Sequence, residues 1–224
     1  MSLPDPFYQD SLVTLYRGDC EAILPSLPKA DLLLTDPPYG IGQCRGMRGG
    51  GRSKLTGMPR THRTYEGGWD KGRPSKAVFD LLLPSALRHI IWGGNYFSDF
   101  LPVNKQWLVW DKETTMPSYS DAELAWTSLR LSTVKMFRYC GNGFQAKEKE
   151  RVHPTQKPVA LFGWCLELEA PVKSVIDPFA GSGTTAIACK ERGIPCTLIE
   201  MDAHYCEVIV HRLGQLFLPM AMNA

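Results

Sequence analysis

"KSVIDPFAGSGTTAIACKERGIPCTLIEMDAHYCEVIVHRL", residues 173–213, decides the fold. "KSVID" (173–177) is a short apolar run ending on an acid, and "GTTAIACKERG" (183–193) has helical character with a closing glycine. "PCTLIEMD" (195–202) is a second buried strand. "AHYCEVIVHRLGQLF" (203–217) is a second helix, with Asp202 placed to cap it. Strand, helix, strand, helix with short connections implies a parallel sheet with right-handed crossovers.

The rest of the chain extends this alternation. "SLVTLYRG" (11–18) and "ADLLLT" (30–35) read as strands, with a short helix at 21–27 between them. "SKAVFDLLLPSAL" (75–87) has helical spacing, with Pro84 as a stop or kink. "RHIIWGG" (88–94) and "QWLVWDK" (106–112) read as buried strands. "AELAWTS" (122–128) and "TVKMFRY" (133–139) read as strands near a hairpin edge, and "KPVALFGWCLELE" (157–169) as a helix. The expected fold is α/β, a doubly wound, mostly parallel sheet. The 224 residues suit a single domain, 1–224, with 44% hydrophobic content for its core.

No apolar run approaches the ~20 residues of a membrane span, and "MSLPDPFYQD" has no signal-peptide form, so a cytoplasmic protein is expected. The seven cysteines are scattered without a C-x-x-C pair, which argues against a disulfide framework and against a metal site. Net charge is only +2, but its distribution is uneven. Arg45, Arg48, Arg52, Lys54, Arg60, Arg63, Lys71 and Arg73 face only Glu66 and Asp70, amid many glycines. The segment 41–73 is therefore expected to be a flexible basic loop suited to a phosphate backbone. A second polar loop, 140–152, mixes charges and reads as solvated.

Two loops carry the chemistry. In "VIDPFAGSGTTAIA", Gly181 and Gly183 precede a helix, where a backbone turns tightly and offers N–H donors to a ligand. Glu200, at the tip of the next strand, is placed to accept from two ribose hydroxyls. Gly181, Gly183 and Ala186 also fit the G-x-G-x-x-A pattern of nicotinamide enzymes. Against that, "DPF" lengthens the loop, and Asp177 sets a negative charge where a pyrophosphate would lie. An ammonium-bearing ligand suits Asp177 better, and S-adenosylmethionine has an ammonium, a sulfonium and a ribose. The other loop is "DPPY" (36–39), an acid and an aromatic on two rigid proline links at a strand's C-terminal end.

"DPPY" with "DPFAGSG" resembles the amino-methyltransferases acting on DNA bases. The order, catalytic motif first, resembles the permuted β class of that family and its small solitary or phage-type members. "HPTQKP" (153–158), "RGDC" (17–20) and "IEMDAHYCEVIVHRL" (199–213) match further family segments, so the resemblance runs from Arg17 to Leu213. It implies a circularly permuted, Rossmann-like methyltransferase fold using S-adenosylmethionine. The implied catalytic residues are Asp36, Pro37, Pro38 and Tyr39: the Asp36 carboxylate and Pro37 carbonyl accept from a base amine, and Tyr39 stacks on the base. The implied cofactor contacts are Asp19, Asp177, Phe179, Gly181, Gly183, Thr184 and Glu200, with Thr155 and Lys157 meeting the methionine carboxylate. Trp92 and Asn95 in "IWGGNYF" are candidates for the base pocket, with a core Trp and a helix-cap Asn as the alternative.

The implied partner is double-stranded DNA with the target base flipped out, gripped by the Arg and Lys residues of the basic loop. A homodimer reading a symmetric site is a further expectation. Adenine N6 is the expected target, because Asp opens the first motif; cytosine N4 is the alternative. A DNA-binding module that has lost catalysis is a third reading, disfavoured by the intact motifs.

Overall fold

The computed structural model of the chain describes residues 3–41, 72–114, 120–140, 156–168 and 171–215. The strands are β1 (Tyr8–Gln9), β2 (Val13–Arg17), β3 (Ala30–Thr35), β4 (Ala86–Trp92), β5 (Trp107–Asp111), β6 (Ala122–Thr127), β7 (Lys135–Arg138), β8 (Val175–Asp177) and β9 (Cys196–Glu200). The helices are α1 (Cys20–Ile23), α2 (Lys76–Leu82), α3 (Val159–Glu167), α4 (Thr184–Lys190) and α5 (Ala203–Gln215). Among the described residues the strands form one sheet in the order β1-β2-β9-β8-β3-β4-β6-β5-β7.

Its centre is parallel. β2, β9, β8, β3 and β4 all run the same way, as the strand-helix alternation requires. β3 is the most protected of them: Leu32, Leu33 and Leu34 are fully or almost fully buried, so its leucines read as a continuous apolar run rather than an alternation. From β3 the chain proceeds to β4 on one side, and from β8 it proceeds to β9 on the other. The order therefore reverses between β8 and β3, where open α/β sheets bind ligands.

Four differences from the sequence reading have physical causes. The helix expected over 75–87 ends at Leu82, and a 3-10 turn at Leu83–Ser85 delivers Ala86 directly into β4. Pro84 has no N–H with which to continue the ladder, and the Ser85 hydroxyl donates to the Leu82 carbonyl instead. The helix expected from Lys157 begins at Val159, with Pro158 in extended conformation ahead of it. A residue before proline is biased away from helix, which leaves Lys157 outside α3. Of the two strands expected near a hairpin edge, β7 ends the sheet, whereas β6 is an inner strand between β4 and its antiparallel neighbour β5. β1 is an added strand, antiparallel to β2.

Cys20, Cys140, Cys165, Cys189, Cys196 and Cys206 are all buried free thiols, while Cys44 lies outside the described residues. No described helix is long and apolar enough to cross a membrane.

The chain divides into two compact units, Met1–Pro37 with Ser75–Ala224, and Pro38–Pro74. The first holds every strand and helix named above. The second is an excursion between β3 and α2 and coincides with the basic segment. Its described ends meet where Gly40, at φ +72°, closes against the Arg73 backbone.

Candidate functional site

At the C-terminal end of β8, Asp177 is almost fully buried. Its Oδ1 accepts from the Thr35 hydroxyl at 2.7 Å and from the Phe179 N–H at 3.1 Å. Its Oδ2 accepts from the Thr185 hydroxyl at the start of α4. Burial pushes the Asp177 carboxyl up to about 6, against the pull of those donors, and the nearby Asp36 charge adds to the rise. Asp177 thus braces the loop in which the sequence reading placed it as a ligand contact.

The loop that follows is shaped by its two glycines. Gly183 stands at φ +81°, and an ideal Cβ there would lie 2.8 Å from Ile209 of α5. Gly181, at φ +52°, has open space where its Cβ would point. The first packs the loop against a helix; the second leaves a face of backbone that a ligand can approach. Arg212 of α5 donates to the Ser182 carbonyl at 2.6 Å and holds the turn from behind.

Glu200, at the tip of β9, completes the cradle. Its Oε2 accepts the Gly181 N–H and its Oε1 the Asp202 N–H, each at 2.8 Å. Burial pushes this carboxyl up to about 7. The Gly18 N–H donates to the Glu200 carbonyl at 2.9 Å, which carries the Asp19 turn to the same end of the sheet. Asp19 is exposed and caps α1 through the Glu21 N–H. A buried carboxyl, Asp177, and a half-buried one, Glu200, both held off their ordinary ionisation beside open backbone, suit a ligand that brings a cation and hydroxyl donors.

One strand over, Asp36 follows directly on β3. Its Oδ2 receives the Lys157 ammonium at 2.6 Å, and Lys157 also lies 3.0 Å from Glu123 Oε2. Glu123 in β6 is tied in turn to Lys112 at 2.6 Å. Burial opposes the charge of Lys157, but Asp36 and Glu123 outweigh it and the ammonium is held above its usual range. Burial likewise opposes ionisation of Glu123, yet Lys157 and Lys112 bring it down to about 2. The Lys157 carbonyl accepts from the Thr184 hydroxyl at 3.2 Å, joining this cluster to the start of α4.

The fold thus gathers Asp19, Asp36, Pro37, Lys157, Asp177, Phe179, Gly181, Gly183, Thr184 and Glu200 in its first unit. Pro38 and Tyr39 open the second unit. Thr155, Arg45, Arg48, Arg52, Lys54, Arg60 and Arg63 lie outside the described residues, as does the polar loop from 141 onward. Trp92 is fully buried and belongs to the core cluster, whereas Asn95 is exposed in the 3-10 turn Gly94–Phe97. Among the described residues no cluster of His, Cys, Asp and Glu has the makings of a metal site.

Sequence reasoning missed Thr35, Thr185, Lys112 and Glu123. Thr35 and Glu123 had a signal: each is a polar residue in an apolar strand, and a buried polar group needs a partner.

The chain is similar to several known proteins. Residues 94–211 match the N6_N4_Mtase family, described as DNA methylase. The chain is 28% identical to the type II methyltransferase M.ScaI of Streptomyces caespitosus over 95% of its own length and 84% of that protein. It is 27% identical to the putative methylase YubD of Escherichia coli K12, covering 93% of this chain and 91% of the other. Among solved structures, M1.HpyAVI in complex with SAM superposes with a TM-score of 0.57 at 22% identity, covering 90% of this chain and all of that one. The cytosine-N4-specific PvuII DNA methyltransferase superposes at 0.63 and 15% identity, covering 97% and 90%. The family match spans more than half of the chain, and the structural neighbours share its Rossmann-like architecture. This chain belongs to the N6_N4_Mtase family of DNA methylases.

Proposed function

We propose that the protein methylates the exocyclic N6 amine of a flipped-out adenine in double-stranded DNA, using S-adenosylmethionine. The observation that carries this reading is the placing of Asp36 and Asp177 on adjacent strands at the reversal of sheet order. There, a base acceptor and a cofactor cradle stand side by side.

S-adenosylmethionine supplies a methyl group activated on a sulfonium. The cradle fits it. The Gly181 backbone allows close approach, Asp177 and Glu200 favour its cationic end and its ribose hydroxyls, and Asp19 and Phe179 flank it. Thr184, through the Lys157 carbonyl, fixes the loop.

A base amine is a poor nucleophile because its lone pair is delocalised into the ring. The Asp36 carboxylate accepts one amine hydrogen and the Pro37 carbonyl the other, which favours a pyramidal nitrogen and offsets its growing positive charge. As the N–C bond forms, the C–S electron pair returns to sulfur, and the nitrogen then gives up one proton to solvent. Pro37 and Pro38 hold both acceptors rigidly, where a shift of ~1 Å costs about 10²-fold in rate. Tyr39 stacks on the flipped base and returns about 1–3 kcal/mol of the unstacking cost.

The Arg and Lys residues of 45–63 grip the phosphate backbone. A homodimer on a symmetric site is part of this proposal, as is a cytoplasmic location. Adenine is favoured because Asp36 opens the first motif, as is usual for adenine in this family. The cytosine-N4-specific neighbour keeps cytosine N4 as the second reading. Labelled S-adenosylmethionine and plasmid DNA, followed by digestion to nucleosides, decides between them. N6-methyladenine is the expected product; N4-methylcytosine replaces the first reading with the second.

A further inference from the structure

We propose that Lys157 is the positioning residue of Asp36, and that Glu123 holds Lys157 in place. The inference rests on the reading of Asp36 as the amine acceptor.

Lys157 is 5% exposed, and its carbonyl is fixed by Thr184. A buried lysine carries a desolvation cost that only close counter-charges offset. Here two carboxylates bracket the ammonium, Asp36 at 2.6 Å and Glu123 at 3.0 Å. Glu123 is itself secured by Lys112. Signs therefore alternate across the ends of the strands: Asp36, Lys157, Glu123, Lys112.

This order solves a problem set by the switch point. Asp36 and Asp177 stand at the ends of adjacent strands, and the Asp36 charge disfavours ionisation of Asp177. An amine needs an ionised acceptor, because a protonated acid would present a hydrogen to it. Lys157 supplies the balancing charge and pins one carboxylate oxygen, which fixes the plane in which Asp36 meets the amine. The resemblance instead assigns Lys157 to the methionine carboxylate of the cofactor, and the two roles separate by experiment.

Among the described residues, the charged groups near Asp36 include Lys157 ahead of α3, Asp177 in β8, Glu123 in β6 and Lys112 after β5. Lys157→Met is expected to lower the single-turnover methyl-transfer rate about 10²-fold. It is also expected to move the acid limb of the pH–rate profile to higher pH and to change cofactor affinity by less than about threefold. A tenfold or larger loss of cofactor affinity, with rate and acid limb unchanged, overturns the proposal. Glu123→Gln keeps Lys157 but removes its second anchor. It is expected to slow transfer about tenfold at constant cofactor affinity, and an unchanged rate also overturns the proposal. Asp36→Ala serves as the control. If that variant keeps full activity, the reading of Asp36 fails, whatever Lys157 does.

Discussion

The Thr35 hydroxyl donates a 2.7 Å hydrogen bond to Asp177 Oδ1 across the β3–β8 pair. Thr35 is the residue before Asp36, so this side-chain bond ties the strand of the proposed base acceptor to the brace of the glycine loop. Thr35→Val keeps the shape and removes the donor at a fully buried site. The expected cost is about 1–3 kcal/mol, a fall in Tm of roughly 2–4 °C per kcal/mol in a chain this long. Thermal melts check the fall, and calorimetry checks a several-fold loss of cofactor affinity.

Asp36→Ala removes one of the two proposed amine acceptors. Methyl transfer is expected to drop at least about 10²–10³-fold, while calorimetric binding of S-adenosylmethionine stays within a few-fold.

The two loop glycines should respond differently to the same change. Gly183→Ala meets both a left-handed φ and Ile209 at 2.8 Å, so it is expected to destabilise the fold by about 2–4 kcal/mol. Gly181→Ala meets the φ alone and costs about 1–2 kcal/mol. Its methyl projects into open space, so its larger effect falls on cofactor binding. Melting curves and calorimetry on the pair separate the two effects.

Asp177 and Glu200 carry folded-state values of about 6 and about 7, above the 3.8 and 4.5 of free carboxyls. The folded state therefore holds more protons than the unfolded one between about pH 4 and 7. Through this pair, the stability of the ligand-free protein falls as pH rises across that window. A cationic ligand reverses the trend, because it binds the ionised carboxylates better. S-adenosylmethionine affinity is expected to rise between about pH 5.5 and 7.5, and Glu200→Gln to flatten part of that rise. Calorimetric titrations at several pH values measure both.

Exchanging Arg45, Arg48, Arg52 and Lys54 for Gln is expected to weaken DNA binding. It should also reduce the slope of log K against log salt by about 0.9 for each phosphate no longer neutralised. Cofactor affinity should be unaffected. Fluorescence anisotropy at several salt concentrations reads the slope directly.

The parts of the site that lie in one stretch of chain were legible in the sequence. Asp36 follows β3, Asp177 ends β8, and Gly181 and Gly183 turn the chain into α4. Residue type and spacing sufficed for those placements. The β3 strand, Ala30–Thr35, was also legible, because its leucine run has a single apolar explanation. What escaped was pairing at a distance. Thr35 and Asp177 are 142 residues apart, and Lys157 and Asp36 are 121 apart. Local pattern cannot join them until the sheet order is known. The inner position of β6 escaped for the same reason, since nothing local to "AELAWTS" says which strands flank it.

The excursion Pro38–Pro74 begins and ends on proline, and no strand among the described residues lies within it. Neither proline has a backbone N–H, and each has its φ held at about −65°. Both ends of the excursion are therefore stiff links that donate no backbone hydrogen bond to a neighbouring strand.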